Sequence, residues 1–317
     1  MAIPKYSIII PVYNRPEELK ELLESLAGQT FKDFEVLIVE DGSTRRSESV
    51  YEQFASRLRI QYLFKPNTGP GPSRNFGFEH AKGSYFVVFD SDCMLPSEYF
   101  AIIENFLSVN PLDAWGGPDR GHESFSSLQR AMAYTMSSVL TTGGIRGAGD
   151  KNFQPRSFNM GLSRKVWEAT GGFKFDRLAE DIEWSVRIRK AGFKIGLIQD
   201  AFVYHKRRAE LYDFFKQVEG FGRGRVRVGK IHPTEIKVVH WFPTLVLAAY
   251  VSIPLLAILN RPMGLLVGLG LMVYGTLIFL DCIRITGSIA VAFLSIPSAM
   301  AQLFGYGYGF ISEKFRK

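Results

Sequence analysis

The N-terminal two thirds of the chain alternates between short runs of β-branched and aromatic residues and longer stretches in which apolar residues return every three or four positions. The first pattern is that of a strand buried on both faces, the second that of a helix lying on a core. Strands are expected at Tyr6 to Val12, Phe34 to Val39 and Arg59 to Phe64, and in the apolar run that starts at Phe86. Between them, helices are expected at Glu17 to Leu26, with Asn14 as its cap, at Ser47 to Leu58 and at Ser73 to Ala81. This spacing predicts an α/β fold, a mostly parallel, doubly wound sheet flanked by helices, with ligands at the carboxyl ends of the strands.

Further along, Pro96 to Leu107 and Ser126 to Leu140 read as helices, and Phe158 to Gly161 and Phe193 to Ile198 as strands. The glycines of SRKVWEATGGF close another helix, and Glu180 and Asp181 open the next. Trp115 to Asp119 and Thr141 to Asp150 read as loops, the second carrying one cation, Arg146.

The pattern changes after His205. Leu211, Phe214, Phe215 and Val218 share one helical face, and Arg223, Arg225, Arg227 and Lys230 follow, as in an interfacial helix beside anionic lipid. Between Lys237 and Glu313 the only formal charges are Arg261, Asp281 and Arg284. Trp241 to Leu259 and Met263 to Leu280 each approach the roughly 20 residues needed to cross a bilayer, and the turn Asn260-Arg261-Pro262 makes them a hairpin. Ser288 to Ile311 is long enough to cross, or to lie in the interface, and contains Pro297 and the segment FGYGYGF. The expected division is 1–236, with an interfacial segment at about 211–236, and a membrane-anchoring region at 237–317. The basic residues ahead of Trp241 put the first of these on the cytoplasmic face by the positive-inside rule.

Composition narrows the classes. The 317 residues carry a net charge of +7, yet the mean hydropathy is +0.02, too apolar for an ordinary soluble basic protein. Because the basic cluster adjoins hydrophobic sequence, it reads as a membrane contact and not as a nucleic-acid site. Two cysteines, Cys93 and Cys282, far apart, indicate neither a disulfide framework nor a cysteine-rich metal site. The opening MAIPKYSIIIPVYN enters a strand without a basic-then-apolar leader, so no secretory signal is expected.

The candidate chemistry gathers at predicted strand ends. FVVFDSDCML brings Asp90 and Asp92 to the mouth of the sheet, and closely held carboxylates suit Mg2+ or Mn2+ together with substrate phosphates. An imidazole at another strand end, His205, can complete a metal site begun by Asp92. Asp41, in VEDGST, is either a turn aspartate or an acceptor for a base N–H or ribose hydroxyl. Arg74 and Asn75 open a helix behind the loop KPNTGPGPSRN, where a guanidinium and a helix N-terminus can both face phosphate. That loop has neither the Lys-Ser/Thr of a P-loop nor dinucleotide-site glycine spacing, which counts against ATPase and dehydrogenase chemistry. Glu180 and Asp181 either complement a helix N-terminus or supply a general base.

Taken in order, PVYNRPEELKELLESLAGQTFKDFEVLIVEDGST, GPSRNFGFEHAKGSYFVVFDSD, the AED triplet and His205 resemble the family 2 glycosyltransferases of the GT-A fold, over roughly Tyr6 to Arg225. The resemblance implies a metal-dependent, inverting transfer of one sugar from a nucleotide diphosphate sugar, UDP-linked by expectation. It implies that Pro11, Tyr13 and Asp41 hold the nucleoside, with Glu40 departing from the usual first acid of Asp-Asp-Gly-Ser. Arg74 matches a diphosphate or base contact, and Asp90 and Asp92 match the DxD acids, Asp92 being the direct metal ligand and Asp90 contacting ribose or the metal's shell. Asn159 to Gly161 fall at a glycine-containing acceptor loop, and Glu180 joins the substrate-binding set. Asp181 matches the catalytic base, and His205 a metal-ligating histidine. The Gln-x-x-Arg-Trp of processive members is missing around Gln217, which favours single addition. A membrane tether suits a lipid-linked or glycolipid acceptor. Two other readings compete: a nucleotidyltransferase, which would release pyrophosphate, and a non-catalytic nucleotide-binding membrane scaffold.

Overall fold

The computed structural model describes residues 3–143 and 153–316. Among these, seven strands form one sheet and three form another. Strands β1 (Tyr6–Val12), β2 (Phe34–Asp41), β3 (Ile60–Lys65) and β4 (Tyr85–Phe89) come first, with a two-residue β5 (Cys93–Met94) just after. Then follow β6 (Ala114–Gly116), β7 (Asp119–Arg120), β8 (Asn159–Ser163), β9 (Ile195–Leu197) and β10 (Val203–His205). The large sheet runs β3-β2-β1-β4-β8-β6-β9, with β1, β2, β3 and β4 mutually parallel and β8 antiparallel to both neighbours. This is the mixed, mostly parallel sheet expected from the sequence.

Alternation along these strands builds a core on each face, as a period of two requires. Ile8, Ile10, Val36, Ile38 and Val87 turn toward α1 (Pro16–Ala27), α2 (Glu48–Phe54) and α4 (Tyr99–Val109). Ile9, Leu37, Val39, Phe86 and Val88 turn toward α3 (Pro70–His80), α7 (Arg164–Thr170) and α8 (Glu180–Lys190). Because β1, β2 and β4 are parallel and in register, their carboxyl ends open on one edge, which is where Tyr13, Asp41 and Asp90 lie.

The described residues group into two compact units, 3–120 with 153–205, and 121–143 with 206–316. The second holds α5 (Ser127–Ser137), α6 (Val139–Thr142), α9 (Leu211–Ile231), α10 (Phe242–Leu259), α11 (Arg261–Thr286) and α12 (Ile289–Lys314). The helix expected over Ser126 to Leu140 breaks at Ser138, and Arg146 lies outside the described residues.

Three helices, Val238–Leu259, Arg261–Thr286 and Ile289–Lys314, are long and apolar enough to cross a membrane. The third is unbroken through Pro297 and FGYGYGF, whose glycines do not interrupt it. They are instead contact points. A Cβ on Gly309 would lie 2.1 Å from the Glu219 carbonyl oxygen, and one on Gly222 would lie 2.2 Å from that of Tyr306, so α9 and α12 touch backbone to backbone. The basic residues lie within α9, which continues to Ile231, and Arg223 and Arg227 donate to Glu313 at 3.3 and 3.0 Å.

Candidate active site

Tyr13, 50% exposed, follows the end of β1, and Pro11 lies two residues earlier within the strand. Asn14 does not cap α1, which starts at Pro16 without a side-chain cap. With φ of +55°, it turns its amide toward the loop after β2 and accepts from the backbone N–H groups of Thr44 and Arg45, both at 2.9 Å. Glu40 closes that loop from below, accepting from the Ser47 N–H at 2.8 Å, the Tyr62 hydroxyl at 3.0 Å and the Ser43 hydroxyl. The larger acid is thus used as a structural brace.

Asp41 is 4% exposed and accepts from Lys65 Nζ at 2.6 Å and from the N–H groups of Thr68 and Gly69 at 2.9 Å. Burial alone would raise its pKa; the Lys65 ammonium and the two backbone donors outweigh it and hold the carboxyl below its ordinary value. Gly69 sits at φ +102° ahead of α3, a conformation open to glycine and strained for other residues. Asp41 therefore fastens the β3–α3 loop at the mouth of the sheet.

From the first turns of α3, Arg74 reaches two acids. Its guanidinium donates to Asp90 at 2.7 Å and to Glu180 at 2.8 Å, while lying 5.3 Å from the Phe173 ring. Arg74 is 2% exposed and bridges the two acids. Burial pushes Glu180 up to about 7 against the pull of Arg74, with the Asp181 carboxylate adding to the push. Asp181, next in the chain, is half-buried and accepts from the Ser157 N–H at 3.1 Å. Ahead of both, Ala179 has φ of +59°, a left-handed conformation costly for a residue with a Cβ. That turn aims the two carboxylates.

Asp92 lies just before β5. Its Oδ1 is 3.1 Å from His205 Nε2, without a well-directed hydrogen bond, and its Oδ2 accepts from Arg15. Burial would raise the carboxyl; His205 and Arg15 more than reverse this and hold it well below the usual carboxylate range. The ligating atoms of Asp92, Cys93 and His205 lie within 4.8 Å of one another. A buried carboxylate oxygen without a hydrogen-bond donor, facing an imidazole, fits a divalent cation. Asp90, also expected as a metal ligand, does not share this group; it is engaged by Arg74.

Asn159 pairs with Phe89, the residue before Asp90, and Gly161 pairs with Val87 further along the same strand. Both lie buried inside β8, where Asn159 accepts from Tyr99 at 2.5 Å and donates to the Ala201 carbonyl at 2.8 Å, and a Cβ on Gly161 would strike the Trp115 ring. Two residues were missed. Arg15 sits between the first strand end and Pro16, and Cys93 is next to Asp92 on a strand too short to announce itself.

Residues 7–171 match the model of a family described as Glycosyl transferase family 2. The chain belongs to that family. Among similar proteins, an uncharacterized glycosyltransferase of Rickettsia felis is 40% identical over 106 residues, 33% of this chain and 18% of its own length, so the match spans under a fifth of that relative. Glycosyltransferase AglE of Haloferax volcanii is 23% identical over 268 residues, 80% of this chain and 83% of its own. Among solved structures, the mannosyltransferase PcManGT of Pyrobaculum calidifontis, in complex with GDP-Man and Mn2+, superposes with a TM-score of 0.68 at 18% identity, over 96% of this chain and 88% of its own. The fold of this family 2 member is therefore the GT-A type, with three long apolar helices at its C-terminal end.

Proposed function

We propose that the protein is a membrane-bound, metal-dependent inverting glycosyltransferase that moves one sugar from a nucleotide diphosphate sugar to a hydroxyl of a lipid-linked or glycolipid acceptor. The observation that carries this reading is the Arg74 bridge, which joins the DSD and AED segments through one guanidinium. An acid at a strand end and one on a distant helix are thereby drawn to the same guanidinium.

In this reading Asp181 takes the acceptor proton as the new bond forms, worth roughly 10²–10⁴-fold, because a neutral hydroxyl is a weak nucleophile. Its partial exposure supports that assignment, with the Ser157 N–H on one carboxylate oxygen at 3.1 Å and the Ile182 N–H on the other at 2.7 Å. Glu180, held by Arg74, fixes the helix start beside it. Tyr13 offers an exposed ring to the nucleobase beside Pro11, while Asp41 holds the loop that walls the same pocket edge. Asp92 and His205 would hold Mn2+ or Mg2+, which when bound offsets the charge developing on the leaving diphosphate. Asp90 has a partly exposed carboxylate free to meet a ribose hydroxyl on its other oxygen.

Residues 1–236 would supply the transfer chemistry on the cytoplasmic side, and 237–317 the multi-pass anchor. Leu255, Ile258, Leu265, Leu269, Met272 and Leu280 are all exposed, an apolar surface that water disfavours and acyl chains accept. Confinement at the membrane raises the effective concentration of an acceptor embedded there.

The test is a screen of UDP- and GDP-linked sugars with the full chain in lipid nanodiscs plus Mn2+, scoring released nucleoside diphosphate and labelled lipid. Asp181→Asn should abolish transfer while retaining donor binding. Unchanged turnover in that variant, or release of pyrophosphate instead, would sink the proposal.

A further inference from the structure

Strand pairing puts a third donor beside the proposed cation site. In the antiparallel pair of β5 with β10, Cys93 is directly opposite His205, and directly opposed residues project to the same face about 4.5–5.5 Å apart. Asp92 immediately precedes Cys93, so carboxylate, thiol and imidazole converge within 4.8 Å. Bonds of about 2.0–2.3 Å from one ion hold such donors up to roughly 4 Å apart, so small side-chain adjustments close the set. All three are sheltered: Cys93 is fully buried, His205 is 6% exposed and the Asp92 side chain 13%. Arg15 occupies Oδ2 of Asp92, which leaves Oδ1, the oxygen facing His205, for an ion.

We propose that Cys93 is a ligand of the cation held by Asp92 and His205, making an oxygen, nitrogen and sulfur site that prefers Zn2+, Co2+ and Mn2+ over Mg2+. This rests on the reading of Asp92 and His205 as a cation site and adds to it the thiolate and the metal preference. On coordination the sulfur–metal bond forms, the thiol proton passes to solvent, and nothing is oxidised or reduced. Soft thiolate turns the ranking toward borderline ions, whereas a site of oxygens alone favours Mg2+.

The experiment titrates Co2+ into the metal-free full-length protein in detergent and records its absorption spectrum. The expected result is an intense near-ultraviolet thiolate-to-cobalt band that survives in Cys282→Ser and is lost in Cys93→Ser, while weaker visible bands persist. In parallel calorimetry, Cys93→Ser should weaken Zn2+ binding at least tenfold and Mg2+ binding less than threefold. Visible bands without a thiolate band in the wild-type protein would overturn the inference while leaving the Asp92–His205 site intact. So would a thiolate band that persists in Cys93→Ser. No Co2+ binding at all would overturn both. The wild-type and Cys282→Ser spectra decide the matter even if Cys93→Ser fails to fold.

Discussion

Arg74 donates a 2.8 Å hydrogen bond to Glu180 across 106 residues of chain. With its other nitrogen on Asp90, one buried cation compensates two acids from different motifs. Removing one partner of such a cluster strands the others, at a cost of about 3–5 kcal/mol. Arg74→Met should therefore lower the unfolding midpoint sharply and abolish transfer. Adding Glu180→Leu should recover much of the stability, since an apolar pair replaces a half-broken ionic one, without restoring activity. Thermal unfolding of the single and double variants checks this. If the double variant is no more stable than Arg74→Met, the two side chains are not coupled.

Asp41 predicts a pH dependence. Its carboxyl is held below its ordinary value of 3.8. A group depressed in the folded state contributes stability that is fully present above the unfolded value and is lost as pH falls through the lower, folded one. The stability gap between wild type and Asp41→Asn should be flat from neutral pH to about pH 5 and should narrow below 3.8. Urea unfolding across this range measures the gap. A gap that widens in acid would contradict the Lys65, Thr68 and Gly69 bonding.

The continuous apolar runs Ile8 to Ile10 and Val36 to Val39, set apart by helical stretches, made the parallel sheet legible, because run length and βα spacing are local properties of sequence. The acids of DSD and AED were legible as types for the same reason. Their partners were not. Nothing near Arg74 in the chain points to Glu180, and a buried ionic bridge between residues so far apart is a product of tertiary packing. Phe158 to Gly161 was legible as a strand, but that its glycine is there to admit the Trp115 ring was not. The use of the FGYGYGF glycines was hidden likewise: they admit the neighbouring helices α9 and α10. Cys93 gave a signal only as DSDC, and its use depends on pairing with His205 over a hundred residues later.

Ala179 holds φ of +59° immediately before the two acids of the AED triplet. A residue with a Cβ in that region carries roughly 1–2 kcal/mol of strain, partly offset by the greater chain entropy glycine would bring to the unfolded state. Ala179→Gly is expected to stabilise the fold by up to about 1 kcal/mol. Turnover should fall at the same time, because the turn that aims Asp181 would be less fixed. A loss of stability would show that the turn is unstrained.

The glycines of α12 and α11 should behave oppositely. Gly309 faces the Glu219 carbonyl oxygen, with 2.1 Å available to a Cβ, while Gly268 has nothing within 4 Å. A leucine at 309 must force α9 and α12 apart, and overpacking of that kind costs about 1–3 kcal/mol or more when the obstacle is backbone. A leucine at 268 meets only the surroundings of the helix and replaces glycine with a better helix former, a gain of roughly 1 kcal/mol in an aqueous helix. Gly309→Leu should therefore lower the unfolding midpoint in detergent, and Gly268→Leu should leave it unchanged or raise it. Tryptophan emission gives a local readout, since Trp241 stacks edge-on against Phe310 at 5.0 Å, one residue from the substituted site. Equal tolerance at both positions would mean that α9 and α12 do not meet through these glycines, and the third apolar helix would then have to find its partners elsewhere.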